Sequence, residues 1–126
     1  MNYSEIEFRT KTAKYEDIVR HLLECADTFS PPLYAYVNIE EYAHKITDHA
    51  ITFEAWGGNK LIGLIAAYFN DPIAKIGFIT NVSVVSEYQG YGIAQELLKH
   101  TIEFGIHHAF IRLDLEVGTN NTKALT

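Results

Sequence analysis

A turn containing two glycines, Gly90 and Gly92, joins a strand-like run to a helical pattern and constrains the fold more than any other segment. The run 76–85 before it predicts a β-strand, and apolar residues recur with helical spacing after it. A helix that starts directly after a strand presents backbone N–H groups at the positive end of its dipole. Because glycine lets a ligand approach the backbone closely, the segment predicts an anion site suited to phosphate. The apolar residues of this helix are Ile93, Leu97, Leu98, Ile102 and Ile106.

Two amphipathic helices are predicted in the first half of the chain. Helical spacing begins at Tyr15, where Glu16 and Asp17 suit the positive N-terminal end of a helix, and it stops at Pro31. A second helix begins at Asn38, whose side chain can cap it, with a glutamate three residues on. The apolar faces are Ile18, Val19, Leu22, Leu23, Ala26 and Phe29 in the first helix, and Ile39, Tyr42, Ala43 and Ile46 in the second.

Further strand-like runs predict a sheet around these helices. Residues 6–10 alternate as a strand does, and residues 51–56 and 61–69 flank a glycine turn that suits a hairpin. Residues 110–117 form the last predicted strand. The element order is then β-α-α-β-β-β-α-β, with no repeat and no linker. We therefore expect one mixed α/β domain, an α+β arrangement with a mixed sheet, over residues 1–126.

Composition narrows the classes of function. The formal net charge is −6 with only ten basic residues, which argues against a nucleic-acid surface. The chain has no apolar run of about 18 residues and no secretory pattern at its start, so we expect no membrane contact and a cytoplasmic location. The lone Cys25 lies in an apolar helical pattern, which predicts a buried structural thiol. The histidines show no metal-ligand spacing, and we expect no metal.

Spacing separates three phosphate-binding motifs that the glycine turn could represent. A dinucleotide fingerprint counted from Gly90 would put Gln95 where a small residue must pack, and a P-loop needs a Gly-Lys pair that the sequence lacks. Residues 89–94, Gln-Gly-Tyr-Gly-Ile-Ala, resemble the acetyl-CoA turn of the GNAT superfamily of N-acetyltransferases, Gln/Arg-x-x-Gly-x-Gly/Ala, at every fixed position. Residues 121–124, Asn-Thr-Lys-Ala, are similar to the family's Asn-x-x-Ala at the start of the next helix. The predicted element order also resembles the GNAT fold from its first strand to its fifth.

This resemblance implies acetyl-CoA as the co-substrate and assigns residues to its parts. The backbone of Val82, Ser83 and Val84 would pair with the pantetheine arm, in the gap that the family leaves beside this strand. Backbone N–H groups of the turn would hold the pyrophosphate, and the side-chain amide of Asn121 would contact CoA. The residues implied at the turn are Gln89, Gly90, Tyr91, Gly92, Ile93, Ala94 and Gln95.

The resemblance also implies transfer of an acetyl group to an amine, which must be neutral to attack. For a lysine-like amine of pKa about 10.4, deprotonation at pH 7 costs about 4.6 kcal/mol, so the site must supply a base or a desolvating pocket. In some members of the family a glutamate at the place of Glu116 is the general base, and Asp114 on the same strand face is the reserve candidate. The alternative for Glu116 is an exposed or salt-bridged strand glutamate.

Three other residues are candidates for contact with the acceptor. Asn81 lies where other family members carry a carboxylate, but its amide cannot take up a proton. Tyr34 and Tyr36 lie in the connection between the first two helices, which would wall the acceptor pocket. Aromatic core packing is an equally good interpretation of these two tyrosines.

Two functions follow from the end of the sequence. The tyrosine that commonly protonates the departing thiolate in the family would fall beyond Thr126, and the last predicted strand lacks a neighbour on one side. Either the sequence is a fragment that stops before the last helix and strands, or a second copy of the chain covers that edge in a homodimer. The first expected function is an N-acetyltransferase that acts on a small-molecule amine. The alternative is a non-catalytic CoA-binding or interaction module that keeps the cleft.

Overall fold

The computed structural model describes residues 5–26, 33–35 and 37–115. The element order within them confirms the prediction of β-α-α-β-β-β-α-β. Short 3₁₀ turns lie at Leu33–Ala35 and Ser86–Tyr88. The strands are β1 (Ile6–Thr10), β2 (Ile51–Gly57), β3 (Lys60–Tyr68), β4 (Ile76–Val84) and β5 (Arg112–Leu115), and the helices are α1 (Tyr15–Cys25), α2 (Ile39–His49) and α3 (Ile93–His107).

The described strands form one mixed sheet in the order β1-β2-β3-β4-β5. Neighbours are antiparallel from β1 to β4, whereas β4 and β5 are parallel and are joined by the crossover through α3. The predicted hairpin between β2 and β3 is confirmed, with Gly57 opposite Lys60. β5 begins two residues later than predicted, because the Phe110 N–H still donates to the carbonyl oxygen of Gly105 at the end of α3.

Helices cover both faces of the sheet and create two cores. On β3, Leu61 and Leu64 pack among residues of α1 and α2, whereas Ile62 and Ile65 pack among residues of α3. Each fully buried leucine or isoleucine contributes about 1.5–3 kcal/mol relative to an exposed position. None of the described helices has the length and apolar character needed to cross a membrane. The α1 and α2 residues of the first core include Ile18, Leu22, Ile39, Ala43 and Ile46, and the α3 residues of the second are Ile93 and Leu97.

A buried carboxylate ties β2 to the segment that leads into α1. Glu54 has no exposed surface and accepts the backbone N–H groups of Thr12 and Ala13 at 2.9 and 3.0 Å. It also accepts the hydroxyl groups of Thr12 and Thr52 and the indole N–H of Trp56. Burial raises the pKa of Glu54, but these hydrogen bonds favour the charged form more strongly, and its pKa lies below the ordinary value. The start of α1 is thereby fixed against the sheet.

Candidate functional site

Among the described residues, which end at Leu115 of β5, no strand pairs with residues 80–84 of β4 on the side of β5, and this stretch is called the open edge. Pairing with β5 extends from Ile76, opposite Arg112, to Ile79, opposite Leu115, although β4 itself continues to Val84. On its other side β4 pairs with β3 as far as Val84. Within the described ranges, residues 80–84 therefore have no strand partner on the β5 side. An edge of this kind presents N–H and C=O groups with which an extended ligand can form hydrogen bonds.

A bulge lies at Thr80, the residue of β4 that follows the last described pair with β5. Ala66 of β3 lies opposite Asn81, and Ala67 lies opposite Ile79, so Thr80 is an extra residue in β4. The hydroxyl of Tyr42 donates to the carbonyl oxygen of Thr80 at 2.6 Å and lies 2.8 Å from its Oγ1. Helix α2 is thus attached to β4 at the beginning of the open edge.

The turn from β4 to α3 is shaped by its two glycines. Gly90 has a φ of 88° and Gly92 a φ of 78°, which are left-handed conformations that favour glycine. A Cβ atom at Gly90 would meet nothing within 4 Å, and one at Gly92 would meet only the Gln95 Oε1 at 3.9 Å. The space above the turn is therefore open. The side-chain amide of Gln89 donates to the carbonyl oxygen of Val84 and so joins the turn to the end of β4.

Helix α3 begins directly after the second glycine of this turn. Gly92 is its N-cap residue and supplies no side-chain cap, and the first hydrogen bond of the helix runs from the Glu96 N–H to the Gly92 carbonyl oxygen at 3.1 Å. The N–H groups of the three residues before Glu96 have no carbonyl acceptor within the helix. The dipole at an exposed helix end stabilises an anion by about 0.3–1 kcal/mol, to which hydrogen bonds from these N–H groups add. The geometry suits an anion such as a pyrophosphate.

A buried polar cluster joins α1 to the part of β4 that follows the bulge. His21 is 1 % exposed, with its Nδ1 3.1 Å from the Leu61 carbonyl oxygen and its Nε2 2.8 Å from the Ser83 Oγ. The Ser83 Oγ lies 2.8 Å from the Oδ1 of Asn81. Burial lowers the pKa of His21 to about 4, so the ring is neutral at pH 7.

Cys25 lies next to this cluster and is fully buried, as the sequence predicts. Its Sγ is 3.7 Å from the Nε2 of His21. Burial raises the pKa of the thiol to about 11, which keeps it protonated and unreactive at neutral pH. Cys25 therefore acts as a packing residue of α1.

The structure brings together some of the residues that the sequence predicts for the site. Val82, Ser83 and Val84 lie on the open edge of β4, and Asn81 begins that stretch after the bulge. Residues 89–95 form the turn and the first turn of α3, and the side chain of Tyr91 is exposed. Tyr34 is 60 % exposed in the 3₁₀ turn before α2.

Other predicted site residues do not join this group. Asp114 forms an ion pair with Arg112, whose Nε lies 2.9 Å from the Asp114 Oδ1. Glu116, Asn121 and Tyr36 lie outside the described residues. Within the described part of the chain no three His, Cys, Asp or Glu side chains could together hold a metal ion.

Sequence reasoning missed two residues that hold the site in place. The side chain of His21 reaches Ser83 across 62 positions of sequence, and that of Tyr42 reaches Thr80 across 38. A signal for His21 was present in the sequence, because it lies on the apolar face of α1 between Ile18 and Leu22. A histidine in such a position needs polar partners within the core.

Comparison with known proteins gives a family match over most of the chain. The family model described as acetyltransferase (GNAT) family matches residues 15–126. A GNAT family acetyltransferase from Staphylococcus aureus has a TM-score of 0.67 at 22 % identity, with 97 % of this chain and 93 % of that chain covered. None of the curated proteins matches this chain.

Two aminoglycoside acetyltransferases share the same fold. One, from an uncultured soil metagenomic sample and in complex with trehalose, has a TM-score of 0.68 at 15 % identity, covering 94 % of this chain and 82 % of that one. The other, an aminoglycoside N-acetyltransferase in complex with CoA, has a TM-score of 0.62 at 17 % identity, covering 93 % and 80 %. These likenesses confirm the predicted fold class.

Proposed function

Because this chain belongs to the acetyltransferase (GNAT) family, we propose that it transfers an acetyl group from acetyl-CoA to a primary amine of a small molecule by direct attack. One observation carries this proposal: the open edge of β4 leads, through a turn with two left-handed glycines, to the N-terminal end of α3. These three elements are continuous in the chain. A long ligand with an amide-containing arm and a pyrophosphate matches them in order.

Each part of CoA then has its own binding element. The amide groups of pantetheine pair with the backbone of residues 82–84, and the pyrophosphate accepts N–H groups from residues 90–95. With a net charge of −6 and ten basic residues, the chain relies on backbone amides more than on cationic side chains for this anion. Asn121 contacts CoA beyond the turn, as the family resemblance implies.

The reaction itself needs few groups from the protein. The amine nitrogen attacks the thioester carbonyl carbon, a C–N bond forms, the C–S bond breaks and CoA leaves as a thiolate. The new amide nitrogen gives up a proton, and the thiolate takes one up. Glu116 is our candidate for the general base, which must offset about 4.6 kcal/mol for a lysine-like amine at pH 7. No part of this scheme needs a metal ion.

The acceptor amine binds on the side of the sheet that α1 and α2 cover. Tyr42 of α2 is bonded to Thr80 at the bulge, and Tyr34 is exposed in the turn that leads into α2. The two aminoglycoside acetyltransferases of the same fold support a small amine as the acceptor. We also propose a cytoplasmic location. A homodimer across the β5 edge stays a prediction, and the molecular mass from sedimentation would test it.

Release of free thiol from acetyl-CoA tests the proposal. The full-length protein is mixed with acetyl-CoA and, in separate reactions, with an aminoglycoside, a polyamine and a free amino acid. We expect thiol release that depends on at least one of these amines and a matching acetylated product by mass. Absence of any amine-dependent release, despite CoA binding, would contradict the proposed function and favour the non-catalytic module.

A further inference from the structure

The buried cluster between α1 and β4 has a definite direction of hydrogen bonding, which starts at Leu61. A backbone carbonyl oxygen only accepts, so the His21 Nδ1 at 3.1 Å from it must carry a proton. In a neutral imidazole the other nitrogen then has a lone pair and no proton. The Nε2 of His21 therefore accepts a hydrogen bond, and the nearest donor is the Ser83 hydroxyl at 2.8 Å, whereas the Cys25 Sγ lies farther away at 3.7 Å.

The Ser83 hydroxyl has a single proton, so its hydrogen bond to His21 also determines which end of the Asn81 amide faces it. Because Ser83 donates to His21, its oxygen can only accept from Asn81, so the amide nitrogen must face it. The two ends of a carboxamide have nearly the same shape, and a half-turn about its last torsion exchanges them without moving any neighbour. The Asn81 atom 2.8 Å from the Ser83 Oγ, placed as Oδ1 in the structure, is on this assignment the amide nitrogen.

The opposite direction of bonding would require a buried cation. If Ser83 donated to the Asn81 oxygen, the His21 Nε2 would need its own proton, in addition to the one on Nδ1. The ring is 1 % exposed, and burial lowers its pKa to about 4, which opposes the doubly protonated form at neutral pH. Without a proton on Nδ1, two acceptors would face each other at Leu61.

This direction of bonding leaves the carbonyl oxygen of Asn81 on the side away from Ser83. Within the described part of the chain no other protein group bonds to that end of the amide, and Asn81 keeps 4 % of its surface exposed. Asn81 follows the bulge at Thr80 and directly precedes residues 82–84 of β4, which are proposed to pair with pantetheine. A carbonyl oxygen held there is a fixed hydrogen-bond acceptor next to the stretch of β4 proposed to pair with pantetheine.

We propose that His21, acting through Ser83, fixes the Asn81 amide so that its carbonyl oxygen accepts a hydrogen bond from the acceptor amine. Asn81 is then a substrate-binding residue, and His21 is a positioning residue that does not touch substrate. The inference rests on the proposed function, since it assigns a role in binding the amine. It also gives Asn81 a role that does not require its amide to take up a proton.

Two pairs of variants of the full-length protein test the roles of Asn81 and His21. Asn81→Leu removes both polar atoms at similar shape, and Asn81→Asp keeps an acceptor oxygen. We expect Asn81→Leu to raise the KM for the amine about tenfold or more, with the KM for acetyl-CoA within about twofold, and Asn81→Asp to raise it much less. His21→Leu should raise the amine KM in the same way, whereas His21→Gln, which keeps one donor and one acceptor, should restore it.

A nitrogen NMR measurement on the unmodified protein tests the hydrogen-bond direction independently of folding in any variant. We expect His21 to remain neutral from pH 5.5 to 8, with Nδ1 protonated and Nε2 unprotonated. A proton on Nε2 would overturn the inference. An unchanged amine KM in Asn81→Leu, in a protein that does acetylate amines, would overturn the role of Asn81 and leave the proposed function intact. Absence of acetylation in the unmodified protein would overturn the proposed function and this role together.

Discussion

The side-chain amide of Gln89 donates a hydrogen bond to the carbonyl oxygen of Val84 at 3.2 Å. This bond joins the last residue of β4 to the residue before the first glycine of the turn. It links the end of β4 to the turn that leads into α3. The glutamine of the turn motif therefore stabilises the turn through its side chain.

Replacing Gln89 should weaken CoA binding through the shape of the turn. Gln89→Leu removes the donor to Val84, and the loss of one hydrogen bond of about 1 kcal/mol predicts about fivefold weaker binding. Gln89→Arg keeps a donor at this position and should bind CoA nearly as well as the unmodified protein. Titration calorimetry with CoA measures both variants. Equal affinities for the leucine and arginine variants would show that the Val84 bond does not shape the site.

Two glycines with similar φ angles allow a variant in the turn to be compared with a control variant elsewhere. Gly92 has a φ of 78° and Gly58, in the β2–β3 hairpin, has a φ of 65°. Alanine at either position should lower the free energy of unfolding by about 1–2 kcal/mol, because the left-handed conformation strains an L-residue. Only Gly92→Ala adds a methyl group to the proposed pyrophosphate site. Urea unfolding measures the strain, and CoA titration should detect weaker binding in Gly92→Ala alone.

The buried carboxylate of Glu54 should be important for stability. Glu54→Gln puts an amide nitrogen among donors and removes the charge that they stabilise, so we expect a loss of about 3 kcal/mol in the free energy of unfolding. Glu103→Gln, on the exposed face of α3, is the control and should change stability by less than about 0.5 kcal/mol. Urea unfolding at pH 7 compares the two variants. A similar small effect in both would contradict the assigned role of Glu54.

Stability should fall as the pH is lowered through two separate ranges. Burial lowers the pKa of His21 to about 4, so between about pH 6.5 and 4 the unfolded chain binds a proton there that the folded chain does not. The free energy of unfolding should therefore drop by about 3 kcal/mol over this range. Glu54, whose folded pKa is lowered, contributes above its unfolded pKa, and this contribution is lost as the pH falls through the folded pKa.

His21→Gln isolates the first of these two ranges. Because glutamine does not titrate, this variant should show a flatter dependence of unfolding free energy on pH between about 6.5 and 4. Urea titrations at several pH values measure the slope for both proteins. Identical slopes would mean that His21 is protonated equally in the folded and unfolded chains.

Local signals in the sequence predicted most of the elements. β1 has the predicted bounds Ile6–Thr10, and Asn38 caps α2 as predicted, because its Oδ1 accepts the Glu41 N–H at 3.0 Å. The turn lies between β4 and α3 as predicted, since glycine positions and helix-start signals act over a few residues.

Burial was harder to predict, since it depends on how each helix meets the sheet. Ile102 and Ile106 continue the apolar pattern of α3, yet they are 45 % and 70 % exposed, whereas Thr101 and Gly105 are buried. Gly105 lies against the Phe69 ring, where its small size allows close packing. The orientation of α3 follows from such contacts and is not encoded in its own periodicity.

The polar contacts behind the site could not be predicted from spacing at all. The bond between His21 and Ser83 and the bond between Tyr42 and Thr80 each join a helix to β4 across long stretches of sequence. Both depend on the position of α1 and α2 on the sheet. The bulge at Thr80 likewise depends on the register between β3 and β4.

Calorimetric titration of the full-length protein with CoA tests the central claim most directly. We predict binding of one CoA per chain, and its loss in Gly92→Glu, which places bulk and negative charge where the pyrophosphate would lie. Gly58→Glu, with similar backbone strain in the β2–β3 hairpin, should still bind CoA. Unchanged affinity in Gly92→Glu, or no binding by the unmodified protein, would contradict the assignment of residues 89–95 as the CoA site.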